Sequence, residues 1–322
     1  MLYGKIDGIE KPISRLVQGT MMVSSREIDY SFNLLDAIYA QGCNTFDTAH
    51  VYGGGDNERI VGKWVNDRGL RDKVVLIGKG AHHNQDRKRV TPFDISADLH
   101  DSLARFKFDY IDLYLLHRDD PSVPVGPIIE VLNQHTREGK ICAFGASNWS
   151  HARIEEANAY AKERGLIPFA ASSPNYSLAE QVKEPWPDCE SISGPANTKA
   201  RAWYALHNMP LFTWSSLAGG FFSGRFDRST PVTSTDYFDK LVVECYCYPQ
   251  NFERLERVNV LALEKGLLVP QIALSFVLSQ PLDIYALTGG RTSEEFSSNA
   301  KALDTKLTMS ELAWLNLESD YR

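Results

Sequence analysis

Eight short, nearly continuous apolar runs recur along the chain, each followed by a longer stretch with helical spacing. This alternation limits the fold more than any other feature. The runs are 14–20, 44–49, 73–79, 110–117, 142–148, 168–174, 211–217 and 283–289. Between them, residues 29–40 carry Phe32, Leu35, Ile38 and Tyr39 on one helical stripe, and residues 94–106 carry Ile95, Leu99, Leu103 and Phe106. Ser150 reads as the N-cap of a further helix with Ile154 and Ala157 inward, and 270–278 and 293–303 also read as helices. Strands that are apolar on both faces belong in a parallel sheet covered by helices. Eight such units predict an α/β chain folded as a (β/α)8 (TIM) barrel, with a doubly wound open sheet as the competing arrangement. No low-complexity linker breaks the rhythm, so a single domain over 1–322 is expected. Two long connections, 177–199 and about 219–250, follow strand C-terminal ends. In a barrel that face carries the active site, so both are candidate substrate loops.

Composition narrows the function. The net charge is -7, and the densest basic patch, Arg87-Lys88-Arg89, reads as a solvated loop rather than a nucleic-acid site. No apolar run approaches the roughly 20 residues of a membrane span. The N-terminal segment shows no charged-then-apolar leader pattern, so a cytoplasmic protein is the expectation. Five cysteines without framework spacing argue for a reducing compartment. Cys245 and Cys247, a lone C-x-C in an expected Tyr-rich surface loop, have no second pair or nearby histidine and do not suggest a metal site.

The chemistry gathers at strand ends. Asp47, Lys79 and His117 sit at or near the C-terminal ends of the second, third and fourth runs, and Tyr52 follows the second in "NTFDTAHVYGGGDNERIVG". Singly, each has a plain reading: a turn cap, an exposed lysine, a core histidine, a packed aromatic. At the top of a barrel these positions are neighbours. A tyrosine titrates near about 10, and an adjacent ammonium lowers that value. A carboxylate keeps such an ammonium charged away from water. Asp47 can therefore hold Lys79, Lys79 can tune Tyr52, and His117 can hydrogen-bond a substrate oxygen. Lys and Tyr are poor metal ligands, and the adjacent His82 and His83 point in different directions, so no metal is expected.

The segments "FDTAHVYGGGDNERIVG", "LIGKG", "LYLLHRDD" and "GASNW" together resemble the aldo-keto reductase family, over essentially the whole chain. The resemblance implies a (β/α)8 barrel that moves a hydride between a nicotinamide and a carbonyl, without a metal or a Rossmann domain. It implies Tyr52 as general acid/base, Lys79 and Asp47 depressing its pKa, and His117 orienting the carbonyl. "GGGDNE" lacks dinucleotide-fingerprint spacing, and its glycines read as a flexible turn carrying Tyr52.

By the same resemblance the cofactor is held by Gly19, Thr20 and Met21, by Ser147, Asn148 and Ser173 at the carboxamide, and by Trp214 against the nicotinamide ring. Ser215, Leu217, Gly219 and Arg225 cover the pyrophosphate. Gly290, Arg291, Glu295 and Asn299 take the adenosine end, where Arg291 suits a 2'-phosphate and favours NADP, with NAD as the alternative. The chain departs from the family at Ser173 and Glu295, where Gln is usual, at Ser177, where Asn is usual, and at Ser216, where Pro is common. Glu295 opposes a 2'-phosphate. The expected substrate is a small-molecule carbonyl or polyol. His50, His82, Arg118 and Trp149, with Met21, form the candidate pocket, suited to a sugar-like compound, or else Arg118 pairs with Asp119 at the rim. The competing functions are a nicotinamide-binding redox sensor with little turnover, and a metal-dependent barrel lyase or hydrolase.

Overall fold

The computed structural model describes residues 1–228 and 236–322. The chain forms two compact units, Met1–Ser173 with Gly289–Ser293, and Pro174–Thr288 with Glu294–Arg322.

The first unit opens with an antiparallel hairpin, β1 (Tyr3–Ile6) and β2 (Ile9–Ser14). Strands and helices then alternate: β3 (Leu16–Gly19), α1 (Ile28–Ala40), β4 (Thr45–Asp47), α2 (Asp56–Arg68), β5 (Val75–Gly80), α3 (Pro92–Phe106), β6 (Ile111–Leu116), α4 (Val125–Arg137), β7 (Ile141–Ser147), α5 (His151–Glu163) and β8 (Ala171–Ser173). The strands pair in parallel, with Gly19 opposite Asp47, Asp47 opposite Ile77, Lys79 opposite Leu115 and Ser147 opposite Ser173. In this register Lys79 lies two residues beyond the partner of Asp47, and His117 two residues beyond the partner of Lys79, so the polar residues follow the stagger of the strand ends.

The second unit holds α6 (Thr198–His207), β9 (Leu211–Thr213), α7 (Tyr237–Tyr246), α8 (Pro249–Lys265), α9 (Val269–Leu278) and β10 (Ile284–Thr288), with β10 parallel to β9. Helices α10 (Ser293–Ala300) and α11 (Met309–Leu315) complete the chain. The eight parallel strands follow the order β10-β3-β4-β5-β6-β7-β8-β9 and close into a barrel, which settles the choice against an open sheet.

The helices form for local reasons. At α3, Thr91 accepts the Asp94 amide, Pro92 occupies the first turn, and Lys107 ends the helix at φ 59. Ile95, Leu99 and Phe106 are fully buried on its inner stripe, each contributing roughly 2 kcal/mol. Ser150 caps α5 through the Arg153 amide, with Ile154 and Ala157 buried as expected.

Each of the eight predicted runs coincides with one barrel strand, with β5 running one residue past its predicted end and β7 starting one residue before its predicted start. The N-terminal hairpin was not anticipated, although Asp7-Gly8 between apolar residues is a hairpin turn signal. The expected loop 219–250 contains α7, so it is not loop throughout, and its residues 229–235 lie outside the described residues. Cys245 is buried on α7, not on a surface loop. Among the described residues, no single helix is long and apolar enough to cross a membrane.

Candidate active site

Strand geometry places Asp47 at the end of β4, Lys79 near the end of β5 and His117 one residue past β6. All three are buried. Lys79 Nζ donates to Asp47 Oδ2 at 2.6 Å, lies 2.6 Å from Oδ1, and donates to the Thr48 carbonyl at 3.0 Å. The ammonium stands 5.2 Å from the centroid of the Tyr52 ring. The Tyr52 and His117 rings meet edge-on at 5.7 Å, and His82 meets His117 at 4.9 Å. The structure thus brings together the four residues that the sequence singled out.

The turn that carries Tyr52 is firmly held. The Tyr52 amide donates to the Ala49 carbonyl at 3.0 Å, and His50 N to Lys79 O at 2.8 Å. Gly53, Gly54 and Gly55 follow at φ 55, 61 and 88, a left-handed run that side-chain-bearing residues resist. A Cβ on Gly55 would come within 2.6 Å of the Arg105 guanidinium. Arg105 Nη1 in turn donates to the His50 carbonyl and to buried Glu58, both at 2.8 Å. Asn57 Nδ2 donates to Thr20 O at 2.6 Å and Val23 O at 2.9 Å, fixing the neighbouring loop. The glycines therefore serve handedness and close approach rather than flexibility. Sequence reasoning passed over Glu58, Asn57 and Arg105. Their signal was a carboxylate on the same face of α2 as Ile60, Val61, Trp64 and Val65.

The charges settle each other. Burial pushes the Asp47 carboxyl above its ordinary range, against the pull of Lys79. Burial also acts against the Lys79 ammonium, but Asp47 and Tyr52 outweigh it and raise its pKa. At neutral pH the proton stays on Lys79. Burial raises the Tyr52 phenol, Lys79 pulls it down, and Asp47 raises it further, so the net direction is upward. This corrects the expectation of a depressed phenol, because desolvation exceeds the effect of the lysine. His117 lies well below its ordinary value, through burial and the charges of Lys79 and Arg118, and is neutral at pH 7.

The cofactor candidates fall in both units. In the first, Gly19 ends β3, Thr20 Oγ1 donates to the Asp47 carbonyl at 2.9 Å, and Met21 is exposed. Ser147 Oγ donates to the Ser173 carbonyl at 2.8 Å. Asn148, at φ 60, reaches His117 O at 3.1 Å through Nδ2. Ser173 Oγ and His117 Nδ1 are buried without a hydrogen-bond partner among the described residues. Gly290 O accepts from Gln18 at 3.2 Å, and Arg291, its side chain exposed, offers its carbonyl to Tyr30 at 2.7 Å. A cavity of about 830 Å³ adjoins this region, lined by residues that include Met21, Ser25, Gly53 and Asp56 but none of the four central side chains.

In the second unit Trp214 is half-buried after β9, its carbonyl accepting from Asn175 Nδ2 at 3.2 Å. Ser215 (φ 52), Gly219 (φ 64) and Gly220 (φ 106) shape the turn that contains Leu217. Arg225 pairs with Asp239 at 2.8 Å, Glu295 is exposed on α10, and Asn299 is buried there.

The expected substrate residues divide. His82 and Arg118 stay with His117. His50 Nε2 instead faces α3, 3.3 Å from Asp101 and 3.8 Å from Asp98. Trp149 is fully buried, edge-on to Phe169 at 5.3 Å, with its indole N–H on the Arg118 carbonyl at 3.0 Å. It supports the loop and does not line a pocket. The Arg118–Asp119 pair does not form, since Asp119 pairs with Arg153 at 3.3 Å.

A closed parallel barrel with polar side chains gathered beyond its strand ends has the architecture of the barrel enzymes. The aldo/keto reductase family pattern matches residues 15–316, and the chain belongs to that family of oxidoreductases, which act generally on carbonyl compounds with nicotinamide cofactors. It is 32% identical over 289 residues to the aldo-keto reductase YhdN of Bacillus subtilis (strain 168), across 85% of this chain and 78% of that protein. It is 29% identical over 317 residues to an uncharacterized oxidoreductase of the same bacterium, YrpG, across 94% and 91%. The solved structure of the glycerol dehydrogenase AKR11B4 from Gluconobacter oxydans aligns with a TM-score of 0.78 at 24% identity, over 98% of this chain and 94% of that one, a likeness of fold.

Proposed function

We propose that this chain reduces the carbonyl of small aldehydes or ketones with NADPH, Tyr52 giving the proton. The observation that carries the reading is the buried Asp47–Lys79 pair set beside the Tyr52 ring and a neutral His117. The bound nicotinamide supplies the hydride. Tyr52, protonated at neutral pH, donates to the carbonyl oxygen as negative charge develops there. Lys79, kept charged by Asp47, stabilises the phenolate that remains. Neutral His117 orients the same oxygen through a ring N–H. Positioning of this kind can supply roughly 7–11 kcal/mol of the acceleration. The orphaned Ser173 Oγ, with Asn148 nearby, suits a carboxamide. Arg291 at the start of α10 suits a 2'-phosphate.

The test is titration with NADPH and NADH followed by Trp fluorescence, then assay against a panel of aldehydes, ketones and keto-sugars, repeated with Tyr52→Phe. The expected result is tight NADPH binding by both proteins, with turnover reduced at least about 100-fold in the variant. Tight binding without turnover of any carbonyl would favour a redox-sensing module. Wild-type rates in Tyr52→Phe would remove Tyr52 as the acid.

A further inference from the structure

Arg118 follows His117 beyond β6 and is only 4% exposed. Its Nη1 donates to the His117 carbonyl at 3.0 Å, and its Nε has no acceptor among the described residues. No carboxylate of the described residues lies within ion-pair reach of it, and 229–235 contain no acid. Its neighbour Asp119 is turned to Arg153, and Asp47 is held by Lys79. Three other shielded cations of the first unit do meet an acid: Lys11 and Arg71 at Asp112, and Arg105 at Glu58. Arg254 in the second unit also lacks a carboxylate at that distance, but it lies in the fields of Glu180, Glu253 and Glu318.

A guanidinium does not shed its proton, so its burial leaves a desolvated charge that the fold does not compensate. The groups beside it give no countercharge either. His117 and His82 are pushed toward neutrality, with the Arg118 charge among the causes, and Tyr52 is a neutral phenol. Hydroxyls of a neutral sugar would satisfy some of its N–H groups but not its charge. With His50 turned to Asp98 and Asp101, the case for a polyol pocket also loses a member.

We propose that Arg118 recognises an anionic group on the substrate, a carboxylate or a phosphate carried a short chain away from the carbonyl. The inference rests on the reductase reading above. The planar fork of Arg118 would take two oxygens of the anion side by side, while the carbonyl sits between Tyr52 and His117. The preferred substrates are then oxo acids or phosphorylated aldehydes, and Arg118 is a specificity residue.

The test compares matched pairs: 4-carboxybenzaldehyde with its methyl ester, and glyceraldehyde 3-phosphate with glyceraldehyde. Wild type is set against Arg118→Met and Arg118→Lys. Wild type is expected to favour the anionic member of one pair by about tenfold or more in kcat/KM, and which pair does so separates carboxylate from phosphate. Arg118→Met should lose most of that preference while binding NADPH normally, and Arg118→Lys should keep part of it. Because it removes an uncompensated buried charge, Arg118→Met should also melt no lower than wild type. Equal use of both members by wild type, an equal loss on both in Arg118→Met, or a lower melting point with an unchanged ratio would each overturn the proposal. If wild type reduces no carbonyl at all, the reductase reading fails separately. Calorimetric titration of the cofactor-loaded protein with benzoate and inorganic phosphate then decides: binding lost in Arg118→Met upholds the anion site, and no binding to wild type ends it.

Discussion

Lys79 Nζ lies 2.6 Å from both carboxylate oxygens of Asp47, and neither side chain is more than 5% exposed. A charge pair so shielded from water contributes little net stability, yet removing one partner leaves the other charge buried alone.

Asp47→Asn should therefore lower stability by about 3–5 kcal/mol, read as a fall in the urea midpoint, and depress turnover with it. Removing both charges, in Asp47→Leu with Lys79→Met, should recover most of the stability and none of the turnover. A double variant as unstable as the single one would show that packing, not charge, is what Asp47 supplies.

The raised Tyr52 phenol fixes the pH behaviour of turnover. A proton donor works while protonated, so carbonyl reduction should hold level through neutral pH and fall only above the ordinary tyrosine value of about 10. Alcohol oxidation needs the phenolate and should rise with pH over the same range. Lys79 pulls the phenol down, so Lys79→Met should move both limbs to higher pH. Profiles of kcat/KM in the two directions test this, and identical limbs in the variant would deny the coupling.

The turn that presents Tyr52 makes a separate prediction. Gly55→Ala forces a Cβ against the Arg105 guanidinium at φ 88, disturbing its bonds to His50 and Glu58. It should cost about 1–3 kcal/mol and lower kcat more than NADPH affinity. Gly69, at φ 61 with open space around it, is the control. Gly69→Ala should cost about 1 kcal/mol and leave kcat unchanged. Equal effects on kcat would mean that the turn does not position Tyr52.

The barrel strands were legible because most are buried on both faces and so read as nearly continuous apolar runs, as in "VLIG" before Lys79 of β5. The set of Asp47, Tyr52, Lys79 and His117 was legible because parallel register turns strand-end position into proximity. Partner choice was not legible. Arg118 adjoins Asp119 in sequence, but the acid turns to Arg153 on α5, and His50 turns to α3. The direction of the Tyr52 pKa was hidden for a related reason, since burial depth is a tertiary quantity. The chain shows that a lysine lies near the phenol, but not how little water does.

The proposed preference for NADPH makes a prediction at two residues around the start of α10. If Arg291 meets a 2'-phosphate, exposed Glu295 one turn on opposes it. Glu295→Gln should tighten NADPH a few-fold, about 0.3–1 kcal/mol for an exposed charge, and leave NADH unchanged. Arg291→Ala should weaken NADPH alone. Parallel shifts for both cofactors would place the 2'-phosphate elsewhere.

His117 should leave its mark on stability. Its folded pKa lies well below the ordinary value, because the site holds it neutral. Between the folded pKa and about 6.5 the unfolded chain binds the extra proton, so stability falls as pH drops below 6.5, by about 1.4 kcal/mol per unit for one such group. His82 and His135 are lowered too and add the same sign, while Asp47, raised, opposes it. Comparing wild type with His117→Asn at each pH cancels those shared contributions. Urea unfolding at pH 7.0, 6.0 and 5.0 should show a shallower acid slope in the variant, by about one proton. An unchanged slope would mean that His117 titrates in the folded chain as it does in the unfolded one, and that the site does not hold the imidazole neutral.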